Sequence, residues 1–169
     1  MSQPSTRRSF LRNTAITAAA ISAAGSGRKL AAANAAPPRR GANDRIRLGI
    51  IGCGSLGYNF HIPRLIDLSG DPKVNIQVAA VCDIYEPRKL RAKEATKAEL
   101  FHDYRKMLDR PDIDGVVIVT PDHWHAKMTL DAMEAGKDVH VEKPMTLHWE
   151  EAKQVYEASE RLGRVVQVG

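Results

Sequence analysis

Three glycines, Gly52, Gly54 and Gly57, stand in the stretch Arg47–Gly57 (RLGIIGCGSLG) at the spacing G-x-G-x-x-G. A short apolar run (Leu48, Ile50, Ile51) precedes them and helix-compatible sequence follows, the arrangement that cradles a diphosphate. The first glycine permits the tight turn out of a strand, the second lets the backbone approach a pyrophosphate, and the third lets helix and strand pack closely. Ser55 and Leu56 between them bring free N–H groups to the positive end of the helix. A glycine triplet also serves plain turn geometry, so the residues after it decide.

The next apolar run, Val74–Cys82, ends on Asp83, 26 residues past Gly57. In a strand–turn–helix–strand unit such an acid accepts hydrogen bonds from the adenosine ribose hydroxyls. The other role open to Asp83 is that of an N-cap for a helix starting near Pro87. Its carboxylate also repels a 2′-phosphate, which favours NAD over NADP. Arg88 stands five residues on, where it can counter that repulsion, so NADP stays open.

The elements that must position these residues alternate. Strands are expected at Ile46–Ile51, Val74–Cys82, Glu99–Phe101, Gly115–Val119, Asp138–Val141 and Arg164–Val168. Helices are expected at 56–69, 87–97, 104–108, 124–135 and 147–162, with Pro63 either in the first turns of the first or marking a late start. Pro87 suits a first helical turn, Gly136 a helix stop, and the unbroken GVVIV run a strand covered on both faces. This pattern predicts a doubly wound parallel sheet with helices on both faces, a Rossmann-type α/β domain over residues 45–169.

The formal charge of +5 suggests nucleic acid and does not mean it. Residues 1–36 carry Arg7, Arg8, Arg12, Arg28 and Lys29 and no acid, leaving 20 basic against 20 acidic residues elsewhere. No basic stripe remains to follow a phosphate backbone. Thr6–Arg12 (TRRSFLR) matches a twin-arginine signal, followed by a mildly apolar, alanine-rich segment and the small residues Ala31–Ala36, suited to cleavage. That segment is too short and too weakly apolar for a membrane span. Residues 1–36 are therefore expected to direct export to a periplasm or envelope through the twin-arginine machinery, and residues 37–44 (PPRRGAND) to form a linker. Free nicotinamide cofactor should be scarce there, so tight retention of NAD is expected.

Cys53 and Cys82 fall at the glycine turn and a strand end and are expected as free, buried thiols. No Cys-x-x-Cys or His-x-x-x-His spacing suggests a metal.

Ligands of open parallel sheets bind beyond the carboxyl ends of the strands, which makes Thr120-Pro121-Asp122-His123-Trp124-His125 and Glu142-Lys143-Pro144 informative. With these motifs the sequence from Arg45 to Gly169 resembles the Gfo/Idh/MocA family of glucose-fructose oxidoreductase and inositol dehydrogenase relatives. The resemblance is carried by GCGSLG, AVCDIYEPRK, VVIVTPDHWHA, AGKDVHVEKP and RVVQVG, with Glu-Lys-Pro the most specific. It implies that Lys143 is the catalytic lysine, orienting a substrate hydroxyl and taking part in its proton transfer while hydride leaves the adjacent carbon. Glu142 then either pairs with Lys143 or contacts the cofactor ribose. Thr120 and Pro121 line the cofactor site and Trp124 stacks on the cofactor or closes over it. His125 either lines the nicotinamide pocket or packs in the first helical turn while Asp122 caps it. His61, His102, His140 and His148 are read as structural or surface residues.

Family members continue into a second, mostly antiparallel domain that supplies substrate contacts and the subunit interface. The chain is therefore expected to be a partial product, homo-oligomeric only with that domain, and to leave Val165, Val166 and the cleft exposed. The resemblance implies hydride transfer between held NAD or NADP and a sugar, polyol or related carbohydrate. Two alternatives are an NAD-dependent glycoside hydrolase of the same superfamily and a non-catalytic nucleotide-binding module.

Overall fold

Six strands, β1 (Ile46–Ile51), β2 (Ile76–Cys82), β3 (Glu99–Phe101), β4 (Gly115–Ile118), β5 (Asp138–Val141) and β6 (Val166–Val168), pair in parallel in the order β3-β2-β1-β4-β5-β6. The structure is a computed structural model that describes residues 44–169. The expected export signal (1–36) and, apart from Asp44, the linker lie outside the described residues. The connecting helices are α1 (Ile62–Gly70), α2 (Glu86–Thr96), α3 (Tyr104–Leu108), α4 (His125–Glu134) and α5 (Trp149–Leu162). Strand order reverses between β1 and β4, which opens a crevice at their carboxyl ends. Among the described residues no helix is long and apolar enough to cross a membrane.

Alternation along the strands divides the core in two. Ile50, Val78 and Val81 pack with Ile62 of α1 and Ala92 of α2 on one face. Ile51, Ala80 and Cys82 pack on the other with Met107 of α3, Met133 of α4 and Val155 of α5. Residues 115–118 are buried throughout, as a strand covered on both faces requires.

Several boundaries differ from expectation for local reasons. The first helix begins near Ser55 but widens over Gly57–His61, where the Ile62 N–H bonds to the Gly57 carbonyl, five residues back. Pro63 has no N–H and its ring crowds the carbonyl four residues earlier, so the helix relaxes into this wider turn just before it. β2 starts at Ile76 because Asn75 takes φ 49°. The helix expected from Trp124 opens as a tight turn, Asp122–Trp124, and becomes α4 only at His125; no side chain caps either, so Asp122 is not a cap. α5 starts at Trp149 because the Glu151 carboxylate accepts the N–H groups of Leu147 and His148, each at 3.0 Å. Val165 is exposed as expected, whereas Val166 packs against the core.

Candidate functional site

Backbone bonds that continue the ladder past the strand ends fix where the chemistry-bearing residues leave the sheet. Gly52 N–H bonds to Cys82 O, Val119 N–H to Ile51 O, and Glu142 N–H to Ile118 O, at 2.8–3.0 Å. Between these ends lies a cleft of about 790 Å³, a size suited to a cofactor. Gly52, Gly54, Ser55, Leu56, Asp83, Arg88, Thr120, Pro121, His125, Glu142 and Lys143 all line it, so residues 91 positions apart in sequence meet in one place.

Each glycine has its own task. Gly52 has φ +97° and a Cβ there would stand 2.4 Å from Val119 O; at Gly57 it would stand 2.2 Å from Gly52 O. These two make the turn and the packing, and Gly57 does not line the cleft. A Cβ at Gly54 would meet nothing nearer than the Arg88 guanidinium at 3.8 Å and would project into open space. The first intrahelical bond runs from Tyr58 N–H to Gly54 O at 2.9 Å. The N–H groups of Ser55 and Leu56, both of which line the cleft, precede it and have no helical carbonyl, which makes an anion site.

Asp83 is buried at the end of β2. Its Oδ2 accepts the Cys53 N–H and its Oδ1 the Tyr85 N–H, both at 2.8 Å. The backbone thus holds the carboxylate against the glycine turn, with Tyr85 rather than Asp83 at the N-cap of α2. Each oxygen keeps a further lone pair for a hydroxyl. Both nearby thiols are free and buried. Burial, reinforced by the Asp83 charge, pushes Cys53 up to about 12, and burial with the neighbouring Cys53 does the same for Cys82.

The opposite wall is held by side chains. Glu142 does not pair with the Lys143 ammonium: its Oε1 accepts from His61 Nε2 at 2.7 Å and its Oε2 from the Lys143 backbone N–H at 3.2 Å. Burial alone would raise the Glu142 carboxyl, but these two bonds and the nearby His61 and His140 hold it below its ordinary value. His140 is itself lowered by burial and by His61. His61, His140 and Glu142 have potential ligand atoms within 4.8 Å of one another, though His61 and Glu142 already bond to each other. The Lys143 ammonium makes no hydrogen bond or ion pair among the described residues, and Lys143 lines the cleft. His125 is 1 % exposed and spends both ring nitrogens on backbone carbonyls, Pro144 O at 2.7 Å and Thr120 O at 2.8 Å. It belongs to the wall without offering the cleft a polar atom.

Three features escaped the sequence reading. His61 is a buried partner of Glu142. Ile84, 80 % exposed, lies in the cleft directly after Asp83, where an exposed apolar residue in a turn was the available signal. His102, Asp103, Tyr104 and Arg105 form the far wall at the end of β3, which the strand-end rule reaches.

The fold recurs in known proteins. The WlbA dehydrogenase of Bordetella pertussis, crystallised with NADH and UDP-GlcNAcA, superposes with a TM-score of 0.69 at 30 % identity over 75 % of this chain and 35 % of its own. KijD10, a 3-ketoreductase of Actinomadura kijaniata crystallised with NADP and TDP-benzene, gives 0.67 at 28 % identity over 75 % of this chain and 37 % of its own. A glycosyl hydrolase family 109 protein of Shewanella baltica is 33 % identical over 92 % of this chain, which spans only 37 % of that relative's length. The profile of the Gfo/Idh/MocA oxidoreductase family, NAD-binding Rossmann fold, matches residues 46–169. The chain therefore belongs to the Gfo/Idh/MocA family and carries its NAD-binding Rossmann domain.

Proposed function

We propose that this chain is the cofactor-holding part of an exported enzyme that moves a hydride between a carbohydrate carbon and a retained NAD. The observation that carries the proposal is that an open glycine turn, a backbone-anchored carboxylate and the unpaired Lys143 line one cleft. The residues fit a dinucleotide: a side chain at Gly54 would occupy the cleft, the Ser55 and Leu56 N–H groups there have no helical acceptor, and Asp83 has lone pairs free. The turn 54–57 would hold the diphosphate, Asp83 the adenosine ribose, and Thr120, Pro121 and Glu142 the nicotinamide half. Arg88, beside Gly54, would offset a 2′-phosphate, so NAD is preferred without NADP being barred.

When bound, the nicotinamide supplies the hydride acceptor and donor. Lys143 does the rest of the chemistry on the protein's side. Its Nζ hydrogen-bonds a substrate hydroxyl, orients the adjacent C–H, and holds or passes on the hydroxyl proton as the carbon is oxidised. Glu142, fixed by His61 and by the Lys143 N–H, holds the backbone from which that side chain projects.

A second outcome of the same step is glycoside cleavage. Oxidation at one sugar carbon would acidify the hydrogen on its neighbour; loss of that proton would expel the glycosidic leaving group, water would add in its place, and reduction of the carbonyl would restore the sugar, with no net change in NAD. The Shewanella baltica relative favours this version. Retention of the cofactor would suit both versions in a compartment poor in free nucleotide, and the arginine pair Arg7-Arg8 before Ser9-Phe10-Leu11 supports export by the twin-arginine route.

The test is to express the protein as its native gene encodes it, then assay it with sugars and with aryl glycosides. Phenol release without net NADH identifies the glycosidase version, and stoichiometric NADH with an oxidised sugar the dehydrogenase version. Lys143→Ala should abolish either while leaving NAD affinity within about twofold. A normal rate in that variant would remove Lys143 from the chemistry.

A further inference from the structure

His125 holds both ring nitrogens at hydrogen-bond distance of carbonyl oxygens, and a neutral imidazole can donate to only one of them. Its Nδ1 lies 2.7 Å from Pro144 O and its Nε2 2.8 Å from Thr120 O. Both partners are backbone carbonyls, which only accept, whereas a neutral ring carries one N–H and one lone pair. With a single proton, one nitrogen would turn its lone pair toward a carbonyl oxygen at hydrogen-bond distance. Both separations also fall in the range of about 2.7–2.9 Å typical of charge-assisted N–H···O bonds.

The two carbonyls belong to different walls of the cleft. Thr120 lies on the loop after β4, five residues before His125, and Pro144 on the turn after β5, nineteen residues beyond it. The ring sits at 1 % exposure between them. The second turn also carries the ionised Glu142, so an opposite charge lies on the segment that the imidazole grips. The Thr120 hydroxyl, by contrast, reaches only Met128 Sδ at 3.7 Å, a weak second anchor for its loop.

We propose that His125 is a positioning residue held as a buried imidazolium, tying the Thr120-Pro121 loop to the Lys143-Pro144 turn and so setting the width of the nicotinamide half of the cleft. This rests on the reading of the cleft as the NAD site. It gives His125 a role other than contact with the cofactor, because neither ring nitrogen is free to make one. The adenosine half, built from β1, β2 and the glycine turn, does not depend on the clamp.

The test compares NAD with ADP-ribose, which keeps the adenosine and diphosphate and lacks the nicotinamide. Calorimetric titrations of the whole chain and of His125→Gln, which cannot span both carbonyls, should show NAD affinity falling about tenfold while ADP-ribose stays within about twofold. Equal losses for both ligands, or no loss for either, would overturn the proposal. Nitrogen-15 NMR of the unsubstituted chain gives a second readout that needs no variant to fold. Two protonated ring nitrogens on His125 would support the clamp, and one would overturn it. If the unsubstituted chain binds neither ligand, the NAD reading fails separately and the ring protonation still decides the charge.

Discussion

The two halves of the cleft are built by different means. On the β1–β2 side the ligand-facing atoms are backbone groups of a glycine turn, and the one side chain, Asp83, is held by two backbone donors. On the β4–β5 side the walls are held by side chains: His125 grips two carbonyls, His61 grips Glu142, and Lys143 stands free. The first arrangement suits a ligand portion of fixed shape and charge. The second suits the proton-transfer role proposed for Lys143, which a backbone cannot supply. A turn specified by missing side chains is also sensitive to added atoms, whereas a clamp is sensitive to lost donors.

The largest effect should come from breaking the backbone half. Gly57→Ala places a Cβ 2.2 Å from a carbonyl oxygen, and Gly52→Ala does nearly the same at φ +97°. Each should cost about 3 kcal/mol or more in denaturant unfolding. Gly54→Ala has room and should stay within about 0.5 kcal/mol of the parent while weakening NAD at least tenfold by titration. If all three behave alike, the division of labour among the glycines is wrong.

Asp83→Ala should come next. It strands the Cys53 and Tyr85 N–H groups, and equilibrium unfolding should register a loss of about 2 kcal/mol.

The side-chain half should show itself in acid. Glu142 has a lowered folded value, so its contribution is complete above the ordinary carboxylate range and disappears as pH falls through that lowered value. His140 is lowered from 6.5, so the unfolded chain takes its proton first and stability also declines as pH drops below about 6.5. His61→Leu removes the donor that holds Glu142 down and should move the acid-unfolding midpoint to higher pH. An unchanged midpoint would mean that the His61–Glu142 bond contributes nothing.

The smallest effect concerns the thiols. With both pushed up to about 12, Cys53 and Cys82 should resist alkylation at pH 8 in the folded chain and react freely once it is unfolded.

The same contrast explains what the sequence revealed. Glycine spacing, the acid ending β2 and the alternation of strands with helices are local signals. They placed Gly52, Gly54 and Asp83, and the elements β3, α3 and β5, where the structure has them. Glu-Lys-Pro was legible through resemblance. The clamps were not legible, because each joins residues far apart in the chain, His61 to Glu142 across 81 positions and His125 to Pro144 across 19. No spacing rule marks a histidine whose partner is a backbone carbonyl. The widened turn before Pro63 was half legible: proline signalled a disturbance, but not its form.

The most direct measurement is calorimetric titration of the whole chain with NAD and then NADP, repeated for Asp83→Ala. One NAD per chain, held more tightly than NADP, with that preference lost in the variant, is the expected result. Failure to bind NAD, or a preference that survives without the carboxylate, would contradict the assignment of this cleft and of the residue that reads the ribose.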